Sequence, residues 1–185
     1  EAVLKNALGT QEAATKAMDD IKNLAATTPF TVDELTESYV KYVNRGLQPT
    51  MAEMTKMGDI AASQGKSFDQ LTEAILDATT GEFERLKEFG IQASKNGEQV
   101  ELSFKGVQKT IANTPEAIQE ALLSFGELEG VMGGMAAISG TLEGKLSNLG
   151  DNYDALKIVL GDVLKPVFLG VMDAMNTGIE IIKSV

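Results

Sequence analysis

Four helix-start signatures follow one another closely and restrict the first half of the chain to short helices. In each, a Ser or Thr that can cap a helix is followed three residues later by a Glu or Gln that can hydrogen-bond back to it. The four pairs are Thr31 with Glu34, Thr50 with Glu53, Ser67 with Gln70, and Thr79 with Glu82. Apolar residues at helical spacing follow each pair, and glycines follow the apolar residues. The pattern predicts a compact lobe of short capped helices.

Helices are also predicted on both sides of this region. Apolar residues recur at helical spacing through Ala2–Ala26, so we expect one amphipathic helix that stops at Thr27–Pro29. Further along, Thr114 as the cap and Pro115 at the first helical position predict a helix that Gly126 ends.

Between these helices the period of the pattern changes from that of a helix to that of a strand. Val100, Leu102 and Phe104 alternate with polar residues, and a turn at Lys95–Gly97 precedes them. Asn-Gly favours the positive φ values of a tight turn, so residues 91–105 are predicted to form a small β-hairpin. Residues 107–111 are predicted as either a third strand or a helical turn.

Glycine is concentrated in residues 126–150, where three G-x-x-x-G spacings occur. In an apolar segment this spacing marks close helix contact in a membrane, but Glu127, Glu129, Glu143 and Lys145 argue against that interpretation. A flexible connection and closely packed soluble helices both remain open, as does ordering by neighbouring subunits.

The last part of the chain carries an apolar stripe. Its members recur three or four residues apart, and they are Leu156, Leu160, Val163, Val167, Val171, Met175, Ile179 and Ile182. They predict a long amphipathic helix over 151–185, kinked at Pro166, that continues into a longer helix or coiled coil.

Together these patterns predict a mainly α (α+β) fold. Its expected parts are a helical lobe with an inserted hairpin over 1–125, a Gly-rich connection over 126–150 and the amphipathic helix over 151–185. The chain has 185 residues, 43% of them hydrophobic, which is enough to bury one core. Because it begins with Glu1, we expect it to be a fragment of a larger protein.

Cysteine and histidine are both absent from the chain. Disulfides, thiolate metal sites, the Ser-His-Asp arrangement and the HExxH motif are therefore excluded. An enzyme could be built only from carboxylates and lysines. The sequence also has no nucleotide-binding glycine motif.

Several groups of carboxylates resemble catalytic or metal sites. The first kind comprises Asp19–Asp20, Glu82 with Glu84 and Glu88, and Glu127 with Glu129, all interpreted as solvated helix faces or ends. The second, Gly150–Asp154, lacks the spacing and the final Glu of an EF-hand and is interpreted as a helix cap. We expect no catalytic, cofactor-binding or metal-binding residue.

The net charge of −11 argues against nucleic-acid binding, which needs clustered Lys and Arg. No segment reaches the roughly 18 uncharged apolar residues that would span a bilayer. Val131–Leu142 is too short, and Lys165–Lys183 is interrupted by Pro166, Asp173 and Glu180. We therefore expect no membrane contact by this chain, and such contact is possible only for other parts of the parent protein.

Several motifs occur in an order that is similar to one known family. They are TPF at Thr28–Phe30, the short capped helices up to Gly90–Ile91, TLEGKLSNLGD at Thr141–Asp151, LG at Leu160–Gly161, and Pro166. In this order the chain resembles the tail tape measure proteins of tailed bacteriophages and prophages, in the globular region before their long helical body.

The resemblance implies a structural protein that sets tail length during assembly and leaves the tail tube during genome delivery. It further implies self-association in the tail lumen, contact with tail tube, tail tip and tail assembly chaperone proteins, and a location inside the virion tail after assembly in the bacterial host cytoplasm. The alternative is a non-enzymatic helical interaction module of an unrelated scaffold or secreted protein. A third possible class of function is that of a helical hydrolase that uses carboxylates.

Overall fold

A computed structural model describes residues 1–140, which lie within one unit of the chain. Its secondary structure is mainly helical with one small antiparallel sheet, as the sequence predicts. The helices are α1 Ala2–Leu8, α2 Gln11–Ala25, α3 Val32–Asn44, α4 Met51–Ser63, α5 Phe68–Thr79, α6 Pro115–Ser124 and α7 Gly134–Ser139. The strands are β1 Gln92–Asn96, β2 Gln99–Phe104 and β3 Val107–Ala112, and short 3₁₀ helices cover Glu84–Phe89 and Phe125–Glu127. The amphipathic helix predicted over 151–185 lies outside the described residues.

The single helix predicted over residues 2–26 is in fact two helices. Gly9 ends α1 with a positive φ of 82°, and Thr10 then caps α2 by accepting a hydrogen bond from the Ala13 N–H. Ala13 stands where a capping box would have Glu or Gln, so the sequence does not carry the capping-box pattern at this helix start. The break lets α1 and α2 pack against each other and both contact α3.

Two of the four predicted capping boxes are complete. At Thr50 and at Ser67, the hydroxyl accepts the N–H three residues on, while Glu53 or Gln70 accepts the N–H of the capping residue. Thr31 caps α3 as predicted, but the carboxylate of Glu34 turns away from it. That carboxylate bonds the start of α5 instead.

The fourth predicted helix start, at Thr79 with Glu82, is wrong. Thr79 is the last residue of α5, and Glu82 donates its N–H back to the Asp77 carbonyl to close that helix. Gly81 makes this possible because its φ of 94° is one that residues with a Cβ avoid. A 3₁₀ helix with Phe83 at its N-cap then runs to Gly90, without a side-chain cap.

The predicted hairpin is present and is extended by a third strand. The strands pair antiparallel in the order β1-β2-β3, so the strand alternative for residues 107–111 is confirmed. Asn96 pairs with Gln99, which places Gly97 and Glu98 at the centre of the first turn, one residue later than predicted. Lys105 and Gly106, both with positive φ, make the second turn.

One face of the sheet completes the core. Val100, Leu102 and Phe104 of β2 point to the buried side, and Phe104 stacks at a tilt on Phe125, with ring centroids 5.5 Å apart. The helices α4 and α5 lie at the centre, since almost all the apolar side chains of both are buried. A small sheet therefore gains its stability by packing on helices.

Candidate functional site

The described surface has an acidic groove between α4 and α6, with a volume of about 430 Å³. It is lined by Glu53, Lys56, Glu116, Gln119, Glu120, Leu123, Ser124 and Glu127. Lys56 pairs with Glu127 at 2.6 Å, and this hydrogen bond lowers the pKa of the Glu127 carboxyl. The other three glutamates of the acidic groove give it a negative surface that would repel phosphate groups.

A second depression, of about 510 Å³, borders an ion-pair network between α3, α5 and the first 3₁₀ helix. Lys41 lies 2.6 Å from Asp69 and 2.8 Å from Glu73, while Arg85 contacts both Glu73 and Asp77. Hydrogen bonds from Lys41 and then Arg85 lower the pKa of Glu73. The network pairs its charges with one another, and since its members are partly exposed it adds little to stability.

The carboxylate groups considered from the sequence lie on the surface. Asp19, Glu82, Glu84, Glu88, Glu127 and Glu129 are exposed, and Asp20 is half-buried. Glu84 pairs with Lys87 at 2.7 Å, and Glu88 lies 3.7 Å from Lys66. These groups sit at separate places, so the structure does not bring them together into a site. The Gly150–Asp154 segment lies outside the described residues.

Asp59 is a carboxylate that the sequence analysis did not select. It is 6% exposed on α4, where its two oxygens accept the N–H groups of Gly133 and Met135, each at 3.0 Å. The available signal was its position in the apolar run Met57–Ala62, where a charge must find a partner when buried. Asp59 therefore anchors the chain that follows α6 onto α4.

Two glycines of the Gly-rich region allow the same close approach. A Cβ on Gly126 would lie 2.6 Å from the Lys56 carbonyl oxygen, and one on Gly134 would lie 2.8 Å from that of Asp59. Either distance is too short for a side chain, so only glycine permits this packing. For residues 126–140 the structure thus shows close packing on a helix instead of a flexible connection.

Tyr42 is the largest side chain that is fully buried in the described core. Its oxygen donates to the Met57 sulfur at 3.0 Å in the centre of the core. Burial raises the pKa of the Tyr42 phenol well above its ordinary range, so the ring stays neutral. Its position between α3 and α4 gives it a packing role.

The described part of the chain offers surfaces for contact. Within residues 1–140, no three His, Cys, Asp or Glu side chains are grouped so that they could hold a metal ion. None of the helices in that range is long and apolar enough to cross a membrane. Comparison with protein-family models, with curated proteins and with solved structures gave no match.

Proposed function

We propose that this chain is part of a phage tail tape measure protein, a structural protein that sets tail length during assembly and is ejected from the tail tube during genome delivery. The observation that carries the proposal is the order of linked motifs, from Thr28–Phe30 through Gly90–Ile91 to Thr141–Asp151 and Pro166. Several motifs in one order are more specific than any of them alone.

In this proposal the described residues are a globular module and not the ruler itself. The longest of their helices, α2, has 15 residues and so a length of about 22 Å. A continuous helix of 140 residues would instead reach about 210 Å. The module packs copies together, engages tail components or refolds on ejection.

The surface charge fits a protein that shares a tube with passing DNA. The net charge is −11, and the acidic groove presents Glu53, Glu116 and Glu120 on one side of the module. Such a surface repels the genome and does not bind it. The proposed partners are further copies in the tail lumen, tail tube and tail tip proteins, and the tail assembly chaperones that meet the protein in the host cytoplasm.

A helical interaction module from an unrelated scaffold or secreted protein is the competing proposal. Such a module would have the same capped helices and surface grooves, but it would not be associated with virions. The carboxylate hydrolase is less well supported, because a general acid needs a raised pKa. Glu73 and Glu127 have pKa values shifted in the opposite direction.

The proposal is tested with purified phage or induced prophage particles. Mass spectrometry should find peptides of residues 1–140 in intact virions and should find them strongly depleted in particles that have ejected their DNA. A major tail tube protein, which stays in the particle, is the internal control. Absence of these peptides from intact virions would favour the unrelated interaction module.

A further inference from the structure

Residues 128–140, here called the C-terminal strap, form local backbone hydrogen bonds and are attached to the rest of the described unit through side chains. Their backbone hydrogen bonds outside α7 connect residues three or four apart, such as Val131 to Leu128 and Gly134 to Val131. The strap is therefore folded locally and does not depend on a sheet or helix partner for these bonds.

Side chains hold the strap in place. Asp59 accepts two N–H groups of the strap, and Lys105 donates to the Gly130 carbonyl at 2.8 Å. Val131 and Met135 are buried against the body, which otherwise builds its core from residues 4–125. Most of the buried apolar side chains therefore lie on elements that precede the strap.

We propose that the C-terminal strap is detachable: it leaves α4 in one step while the body stays folded, and Asp59 is the clamp that sets how often this happens. Opening requires the side-chain contacts of Asp59, Lys105 and Ser139 to break. It also exposes the buried Val131 and Met135 and the partly buried Leu128 and Ile138. Segments with few buried apolar contacts open below the free energy of global unfolding.

The position of the strap gives this step a consequence. The strap is the last described segment, and residues 141–185 follow it directly in the sequence. Under the proposed function, on which this consequence alone rests, release would let the following chain move while the module stays folded and bound. Detachment itself is independent of any phage assignment.

Hydrogen exchange followed by mass spectrometry on the 185-residue chain tests the proposal. In the unaltered chain, strap amides should exchange faster than those of α5. Asp59→Asn should raise strap exchange by roughly tenfold or more, because the amide oxygen can accept from one N–H while its NH₂ group faces the other. The α5 amides should be unchanged, and Asp19→Asn, at an exposed site, should alter neither.

Two further variants guard against a general loss of folding. Lys105→Met removes the exposed contact with Gly130 and the approach of the ammonium to the Phe104 ring, 5.9 Å from its centroid. Gly134→Ala places a methyl group against the Asp59 carbonyl. Each should accelerate exchange in the strap selectively. The proposal is overturned if the strap of the unaltered chain exchanges at the α5 rate, or if all three variants accelerate strap and α5 equally. Neither result would bear on the virion experiment, so the two proposals fail separately.

Discussion

Replacing Phe68 by alanine is expected to lower the free energy of unfolding by about 3–5 kcal/mol, the range for removing a fully buried aromatic ring. Phe68 is 0% exposed at the start of α5, and its ring meets that of Phe30 edge to face, with centroids 5.4 Å apart. The cavity would open where Phe30 of the TPF motif packs on α5. The lost free energy therefore includes the aromatic pair as well as the buried area.

Urea unfolding of the 185-residue chain measures this loss. Phe83→Ala is the matched control, since Phe83 is only partly buried, and it should cost less than half as much. Because the alanine variant could be too unstable to fold, Phe68→Leu provides an intermediate that keeps most of the side-chain volume. Equal losses for Phe68→Ala and Phe83→Ala would show that the pair with Phe30 does not anchor α5.

Removing the carboxylate of Glu34 is the second substitution with a large expected effect, about 1.5–3 kcal/mol for Glu34→Ala. One Glu34 oxygen accepts the Phe68 N–H at 2.6 Å and the Asp69 N–H at 3.3 Å. These are unpaired donors at the start of α5, where a negative charge is also favoured by the helix dipole. The carboxylate therefore ties α3 to α5.

The control for this prediction is Glu37→Ala, which removes an exposed carboxylate from the same helix. It should change the free energy of unfolding by no more than about 0.5 kcal/mol. Glu34→Gln should fall between the two, because the amide can still accept a hydrogen bond without the charge. If Glu34→Ala and Glu37→Ala cost the same in urea unfolding, Glu34 does not act as a cap for α5.

Glu34 also illustrates what sequence patterns could predict in this chain. Local patterns located most helix starts and the hairpin, because capping and strand alternation depend on neighbouring residues. The pattern at Thr31 with Glu34 was correct for the hydroxyl and wrong for the carboxylate. The carboxylate accepts the N–H groups of Phe68 and Asp69 at the start of α5 instead, and these residues are distant in sequence.

The errors have similar physical causes. At Thr79 the same spacing of Thr and Glu occurs at the end of a helix, where Gly81 lets the Glu82 N–H close α5. The clamp at Asp59 joins residues more than seventy positions apart, so no local pattern could reveal which N–H groups it would accept. Its burial could have been expected from the apolar run around it, but its partners could not.

The Gly-rich region shows how one composition can support different structures. Glycines at 126 and 134 were compatible with a flexible connection and with close packing. The surface of α4 favours close packing. At Gly58 it has no side chain, so Met135 of the strap can approach closely, and the neighbouring Asp59 accepts the Met135 N–H. That surface exists only after α4 has been placed by the core, so it is not visible in the strap sequence itself.

We propose that this module belongs to a tape measure protein without being its ruler. Tail length measured by negative-stain electron microscopy tests it most directly, comparing phage with an in-frame deletion of residues 1–140 with phage that carry an equal-sized deletion in the downstream helical region. The downstream deletion should shorten tails in proportion to its length, whereas deletion of the module should block assembly or infection. Equal shortening would make the module part of the ruler, and unchanged tails in both would contradict the tape measure assignment.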